Sequence, residues 1–309
     1  YATRAVDVAA VLPGLRWPAQ IELRAGRHVV RPRYEVVQDG RTRIAHVNVE
    51  RADLRPDPEI AALPAPLGRG FLLPFPVLDR GRFRTTVLPT PMATTQASLP
   101  LRLDVFAPDG GRASSRFLGC LGRDHAQAFE VAEVASGHAE LVYDFRAGGE
   151  ADGWMHALIR YEDRETGHAA ETSFGAHVYN TLMTWRGEPQ SYRGRPPGLS
   201  TRLFLRLGDE RWRAFACLLY PASAPFRPAS ATRLLLHDRE GRVLAEEHLA
   251  IACAGSAMVW PHLVFGPAAC RRAGVGGYVL VRDTTCRLFG YHGLMTEDGR
   301  FSLDHMFGF

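Results

Sequence analysis

Apolar residues in this chain recur mostly in short runs of five to eight residues, separated by glycine, proline and aspartate. A helical periodicity sustained over a dozen residues is hard to find. Because strands need only five or six residues and tight turns favour glycine and aspartate, this pattern predicts a mainly β protein. Helix is predicted only at residues 127–135 and 267–273, the second of which starts with a proline suited to the first helical position.

The N-terminal part contains a predicted β-hairpin. Residues 28–37 and 42–50 read as strands, and Asp39-Gly40 between them accepts the positive φ angles of a tight turn. An isolated hairpin is marginal in water, so we expect this one to pack on the following domain and continue one of its sheets. The alternative is that it contributes an edge strand to a neighbouring subunit, which would make the protein an oligomer.

Two stretches rich in proline and glycine divide the chain, at residues 63–76 and 186–198. They predict an N-terminal hairpin segment with a proline-rich linker over residues 1–70 and a first β-sandwich over residues 71–185. A linker over residues 186–199 and a second β-sandwich over residues 200–309 follow. Both sandwiches are expected to be antiparallel.

The two predicted sandwiches share a colinear series of short matches, which predicts that they arose by duplication. In chain order the matches are Arg102-Leu103 with Arg233-Leu234, Pro108-Asp109-Gly110-Gly111-Arg112 with Asp238-Arg239-Glu240-Gly241-Arg242, Cys120 with Cys253, Leu158-Ile159-Arg160 with Leu280-Val281-Arg282, Gly167-His168 with Gly290 and His292, and Phe174 and His177 with Phe301 and His305. Each match is short, and their constant order is what indicates a repeated unit.

The repeated pattern runs from a strand through an Asp-Gly-Arg-like turn and a second strand to a Gly-Tyr-Val segment at Gly277. It resembles the immunoglobulin-like β-sandwich repeats of many uncharacterised bacterial proteins. The resemblance covers both halves loosely and leaves out the first 70 or so residues. It implies a fold, and it provides no catalytic residues to assign to this chain. Paired small barrels are the competing architecture, since they are antiparallel as well.

Composition excludes several classes of function. The 309 residues carry a formal net charge of +4, and all 37 basic residues are arginine, scattered among 33 acidic ones. No run of like charge predicts a nucleic-acid partner. No apolar stretch is long enough to predict a membrane span. The five cysteines are widely spaced, so we expect reduced thiols and a cytoplasmic location.

A metal site is one hypothesis for the histidines. His138 and Glu140 are two residues apart on a predicted strand, so both side chains face the same side and are able to reach one ion. His168 or His177 would complete a set of two histidines and one carboxylate, which suits iron or zinc. The alternative is that His138 and Glu140 simply form the solvent face of the strand. We expect no cofactor; if one binds, it would be a divalent metal: iron, zinc or calcium.

Two further groups are candidate ligand-binding residues. The carboxylates Asp144, Glu150 and Asp152 precede Trp154 in a glycine-rich segment, which is compatible with calcium binding, with a sugar platform or with an ordinary hairpin loop.

The second group comprises His292 together with Asp304-His305, and this adjacent pair is suited to acting as a general base in a pocket. The alternative for the recurring histidines is a structural role, with hydrogen bonds across turns.

No complete catalytic motif is present, so the sequence predicts a non-catalytic tandem β-sandwich protein that binds a protein partner, a glycan or another copy of itself. A metal-dependent enzyme with a histidine and carboxylate site is the alternative. A carrier of an apolar ligand is the third possibility, and it would require a large closed cavity.

Overall fold

The computed structural model describes residues 4–16, 19–24, 32–38, 40–48, 50, 52, 72–144, 155–176, 183–185, 188–190, 201–221 and 228–306. These residues form antiparallel sheets joined by turns, and the prediction of a mainly β fold is confirmed. In the described part of the chain, no helix is both long and apolar enough to cross a membrane.

The N-terminal segment contains a short helix, α1 (Val8–Val11), and a hairpin of β1 (Arg33–Gln38) and β2 (Arg41–His46). Gly40 in its turn has a φ of 70°, as the Asp-Gly signal predicts. The hairpin packs against the following domain, because the Tyr34 hydroxyl donates to the Glu171 carboxylate at 2.7 Å. It forms its own two-stranded sheet and does not extend another one, so that part of the prediction is wrong.

Eight strands follow, which we call the first unit. They form two sheets with the orders β3-β8-β5-β6 and β10-β9-β4-β7. The strands are β3 (Leu72–Val77), β4 (Phe83–Pro91), β5 (Ser98–Phe106), β6 (Arg112–Gly122), β7 (Phe129–Val131), β8 (Gly137–Tyr143), β9 (Met155–Asp163) and β10 (Ala169–Ala176). Buried and more exposed residues alternate along β4, as expected for a strand with one face on a core.

A two-stranded hairpin of β11 (Met183–Trp185) and β12 (Glu188–Gln190) comes next, so the predicted linker at 186–199 contains one strand, β12. The second unit has the sheets β13-β18-β15-β16 and β17-β14-β19-β20. Its elements are β13 (Thr201–Arg206), β14 (Arg213–Leu219), β15 (Thr232–His237), β16 (Val243–Leu249), β17 (Ser256–Val259), α2 (Pro261–Val264), α3 (Pro267–Ala273), β18 (Tyr278–Asp283), β19 (Phe289–Met295) and β20 (Phe301–His305).

The two units have the same strand order. Adding ten to each strand number of the first unit reproduces both sheets of the second. Equivalent turns also agree in detail: the Ala107 amide donates to the Gly111 carbonyl at 2.8 Å, and the Asp238 amide donates to that of Arg242 at 3.0 Å. Arg102 and Arg233 lie on the equivalent strands β5 and β15, as the sequence matches indicate. This shared topology is what a duplication predicts.

Two of the sequence matches do not join equivalent positions. Arg160 lies on β9, whereas Arg282 lies on β18, which is the counterpart of β8. His168 follows the β9–β10 turn, whereas His292 lies inside β19. Both matches are therefore wrong as equivalences. The spacing of the strands differs between the units, because the β17–β18 connection contains α2 and α3 and is longer than the β7–β8 connection.

The predicted helix at 127–135 is also wrong. Phe129–Val131 instead pairs with Thr85, Thr86 and Val87 at the edge of β4. A partner distant in sequence decides the conformation of such a short apolar segment, and local propensity alone does not. The predicted helix at 267–273 is confirmed as α3.

The sheet containing β14 is buried on both faces. Phe215, Cys217 and Leu219 belong to one hydrophobic core with the first unit, while Ala216 and Leu218 belong to the core of the second unit. Tyr291, Phe301 and Leu303 also join the first core. The second unit therefore supplies part of the packing of the first.

Candidate functional site

A cleft of about 260 Å³ opens where the two units meet. The first unit contributes one side chain from its β3–β4 turn, and the second unit contributes the start of β14, the α2 region and the β19–β20 turn. The cleft is lined by Arg82, Arg213, Trp260, His262, Leu263, Met295, Thr296 and Glu297. Five of these eight residues are polar or charged, so the cleft is more polar than the mostly apolar pockets of small-molecule sites and suits a polar ligand.

Trp260 is the aromatic centre of the cleft. It stands at the N-cap of α2, where Pro261 begins the helix with a preset backbone angle. The indole packs on Phe215 with ring centroids 4.9 Å apart, and the His262 ring meets it edge-on at 5.8 Å. Trp260 is half-buried, so one part of the ring is held by the core and another part remains open to the cleft.

Two guanidinium groups approach the cleft from different units. Arg82 donates through Nε to the buried carboxylate of Asp163 at 2.8 Å, and no acceptor in the described part of the chain contacts its two Nη atoms. Arg213 donates through Nη2 to Glu297 at 2.5 Å. Each ion pair leaves further N–H donors, because a guanidinium carries five. The cleft therefore presents donors from both arginines and acceptors from Glu297.

His262 completes the polar lining. Burial lowers the pKa of its imidazole, and the positive charge of Arg213 lowers it further. The ring is therefore mainly neutral near pH 7, with one nitrogen that donates and one that accepts a hydrogen bond. A neutral group of this kind suits the recognition of hydroxyls.

None of the predicted site residues that the structure describes lines this cleft. His138 and Glu140 do lie together on β8, with His138 Nε2 3.4 Å from Glu140 Oε1. The His138 ring is completely buried and stacks on Phe106 at 5.0 Å, and Glu140 is also buried. The alternative of a solvent face is therefore wrong, because β8 is a central strand whose two faces are both covered.

The predicted metal set is not gathered in the described part of the chain. No three His, Cys, Asp or Glu side chains there are placed to hold a metal ion. His168 instead contacts the Phe301 carbonyl through Nε2 at 2.9 Å, and Asp144 pairs with Arg102 at 3.4 Å. His177, Glu150, Asp152 and Trp154 lie outside the described residues.

His292, Asp304 and His305 do lie together. His292 is opposite Asp304 in the β19–β20 register, and His305 Nδ1 is 3.0 Å from the Asp304 carboxylate. Thr172 of the first unit donates to the same carboxylate at 2.9 Å. Burial lowers the pKa of His292, an effect that Asp304 opposes. This cluster joins the edges of β10 and β20, which indicates a structural role between the units.

The sequence contains a weak signal for the cleft. Trp260-Pro261-His262 places an aromatic residue and a histidine at a helix start, beside the exposed Leu263. No sequence feature predicts that Arg82 lines the cleft, because Arg82 lies far from Trp260 in sequence and reaches the cleft only through the packing of the two units.

Comparison with known protein families finds no match, and no curated protein matches the chain. Two solved structures show a distant likeness. One contains the M60 catalytic domain with the CBM51-1 and CBM51-2 domains of Clostridium perfringens ZmpB; it is 8% identical with a TM-score of 0.17, and the match covers 69% of this chain and 31% of that one. The other is the apo form of Pleurotus ostreatus lectin, 12% identical with a TM-score of 0.15, covering 72% and 74%.

This chain spans about a third of the length of the first of these structures. TM-scores this low carry no weight for fold or function.

Proposed function

We propose that the protein binds a glycan, without catalysis, and that the cleft around Trp260 holds one sugar residue. The observation that carries the proposal is the position of Trp260 among Arg213, His262 and Glu297. A sugar ring has an apolar face, which packs on an indole, and a rim of hydroxyls, which need donors and acceptors at its edge. The cleft supplies both.

The size of the cleft agrees with a small ligand. Its volume of about 260 Å³ is slightly below the roughly 300–1,000 Å³ of ligand pockets, and it suits a single ring better than a large apolar molecule. The alternative of an apolar-ligand carrier needs a larger, closed cavity and is less well supported by this charged lining.

We also propose that the two units descend from one duplicated immunoglobulin-like sandwich. The shared strand order and the matching turns support this origin. In this interpretation α2, which carries the cleft, has no counterpart in the described residues of the first unit, so ligand binding belongs to the second copy after divergence.

Binding of the full chain to an immobilised panel of neutral and acidic oligosaccharides tests the proposal. We expect Trp260→Ala to weaken binding at least about tenfold, since loss of ring contact removes on the order of 1.5 kcal/mol or more. Trp212→Ala is the matched control, because Trp212 is also half-buried in the second unit but does not line the cleft.

A second variant separates binding from folding. Glu297 is highly exposed and its described ion pair is with Arg213, so Glu297→Gln should weaken binding while leaving the melting temperature unchanged. Failure of the native protein to bind any member of the panel, or binding that both cleft variants leave intact, would contradict the proposal.

A further inference from the structure

The outer face of the β13-β18-β15-β16 sheet carries three arginines side by side. Arg202 is opposite Arg282 in the β13–β18 register, and Arg233 is opposite Arg282 in the β15–β18 register. All three are exposed, and His248 continues the same line on β16. We call Arg202, Arg282 and Arg233 the arginine row. Neighbouring strands lie about 4.8 Å apart, so the row spans roughly 10 Å.

This arrangement is electrostatically costly. Like charges directly opposite each other across two strands destabilise a sheet. Glu246 offsets part of the charge, because it accepts two hydrogen bonds from Arg233, at 2.5 and 2.8 Å. Arg202 lies over the Phe204 ring at 5.4 Å, and the guanidinium of Arg282 has no hydrogen bond or ion pair with any described residue. Two of the three guanidinium groups therefore have no anionic partner in the described part of the chain.

The equivalent face of the first unit is different. Arg102 is the counterpart of Arg233, but it is opposite Val142 on β8 and Phe117 on β6. It also pairs with Asp104 at 2.9 Å and is mostly buried. The shared strand order therefore does not require an arginine row, which is particular to the second unit.

We propose that the arginine row binds the carboxylate or sulfate groups of an acidic glycan. This inference rests on the proposed function, and it specifies an anionic polymer as its ligand class. The planar fork of a guanidinium matches a carboxylate or a sulfate with two parallel hydrogen bonds. Three forks on one flat face engage successive anionic groups of an extended chain, and the bound charge relieves the repulsion within the row.

The rings beside the row favour a glycan over a nucleic acid. Single-stranded nucleic acids need open aromatic faces on which bases stack. Here the Tyr278 ring is stacked on His237 at 4.8 Å, and the face of Phe204 carries Arg202. Phe204 is 47% exposed, but the neighbouring Tyr278 ring is paired with His237, so this face offers three guanidinium groups and no series of open rings for successive bases.

Titration of the full chain with polygalacturonate, with neutral dextran as a reference, tests the proposal. We expect Arg202→Gln with Arg282→Gln to weaken polygalacturonate binding at least about tenfold, since hydrogen bonds to charged groups are lost. Arg271→Gln with Arg272→Gln is the matched control, because it removes the same charge from exposed positions on α3 and should change binding less than about threefold.

The row variant should melt at the same temperature as the native protein or at a higher one, because repulsion is relieved. Equal losses in both double variants, tighter binding of poly(U) than of polygalacturonate, or no binding of polygalacturonate would overturn the proposal. The proposed function is tested separately. If a neutral oligosaccharide binds in a way that depends on Trp260, and the row variant still binds it, the proposed function stands even where the arginine-row proposal fails.

Discussion

Two tyrosine hydroxyls complete the hydrogen bonding of a proline-containing edge strand. The Tyr291 hydroxyl donates to the Pro74 carbonyl at 2.7 Å, and the Tyr161 hydroxyl donates to that of Pro76 at 3.0 Å. Proline offers no N–H, so it is confined to edge strands such as β3. Tyr291 is a residue of the second unit, and its bond therefore ties the two units together at one buried point.

We expect Tyr291→Phe to lower the free energy of unfolding by about 1–3 kcal/mol, because it removes a buried hydrogen bond while keeping the ring. Urea denaturation measures the change. Tyr278→Phe is the control, since Tyr278 is partly exposed and its hydroxyl has no described hydrogen bond. An effect no larger than that of the control would show that the bond does not hold the units together.

The edges of β10 and β20 lie side by side and are joined by polar side chains. Asp304 receives hydrogen bonds from Thr172 and from the His305 backbone. Burial raises the pKa of Asp304, but its interactions with His305 and Thr172 outweigh this effect, and the net shift is downward from 3.8. A carboxyl with a lowered pKa stabilises the fold above its ordinary pKa and loses that effect as the pH falls through the lowered value.

We therefore expect the native protein to be more stable than Asp304→Asn at pH 6, and the difference to shrink as the pH is lowered below about 4. Chemical denaturation at a series of pH values measures the difference. A difference that is constant from pH 6 to pH 3 would contradict this role for Asp304.

The two units share hydrophobic packing across the whole molecule. Six residues of the second unit belong to the core cluster of the first: Phe215, Cys217, Leu219, Tyr291, Phe301 and Leu303. Unfolding the second unit alone would expose this apolar surface and leave the first core incomplete, at a cost of roughly 1.5–3 kcal/mol for each large side chain. Independent unfolding is therefore unfavourable.

We expect a single unfolding transition in urea. Tryptophan fluorescence reports on the surroundings of all five tryptophans, including Trp212 and Trp260 of the second unit. Far-ultraviolet circular dichroism reports on the strands of both units, and the two unfolding curves should coincide. Phe215→Ala should lower stability by about 3–5 kcal/mol and preserve the single transition. Two separated transitions in the native protein would show that the units are independent.

Much of the local structure was predictable from the sequence. The turn at Gly40, the mainly β character and α3 depend on residues close together in the chain, and these predictions are confirmed. The hairpin strands, predicted at 28–37 and 42–50, are found at Arg33–Gln38 and Arg41–His46. The segment 127–135 was not predictable, because its pairing with β4 depends on a partner about forty residues away. His138 and Glu140 show the same limit: their spacing places them on one face, but it does not reveal that the face is covered.

The sequence by itself determined the mainly β character of this protein and its short strands, because alternation and turn chemistry act between near neighbours. The cleft and the arginine row were decided by the tertiary structure. Arg82 meets Trp260 only when the units pack, and Arg202, Arg233 and Arg282 become neighbours only through strand register. Register and packing arise from contacts between segments that are distant in sequence. The positions of scattered arginines in a sequence therefore do not show which of them will become neighbours across paired strands.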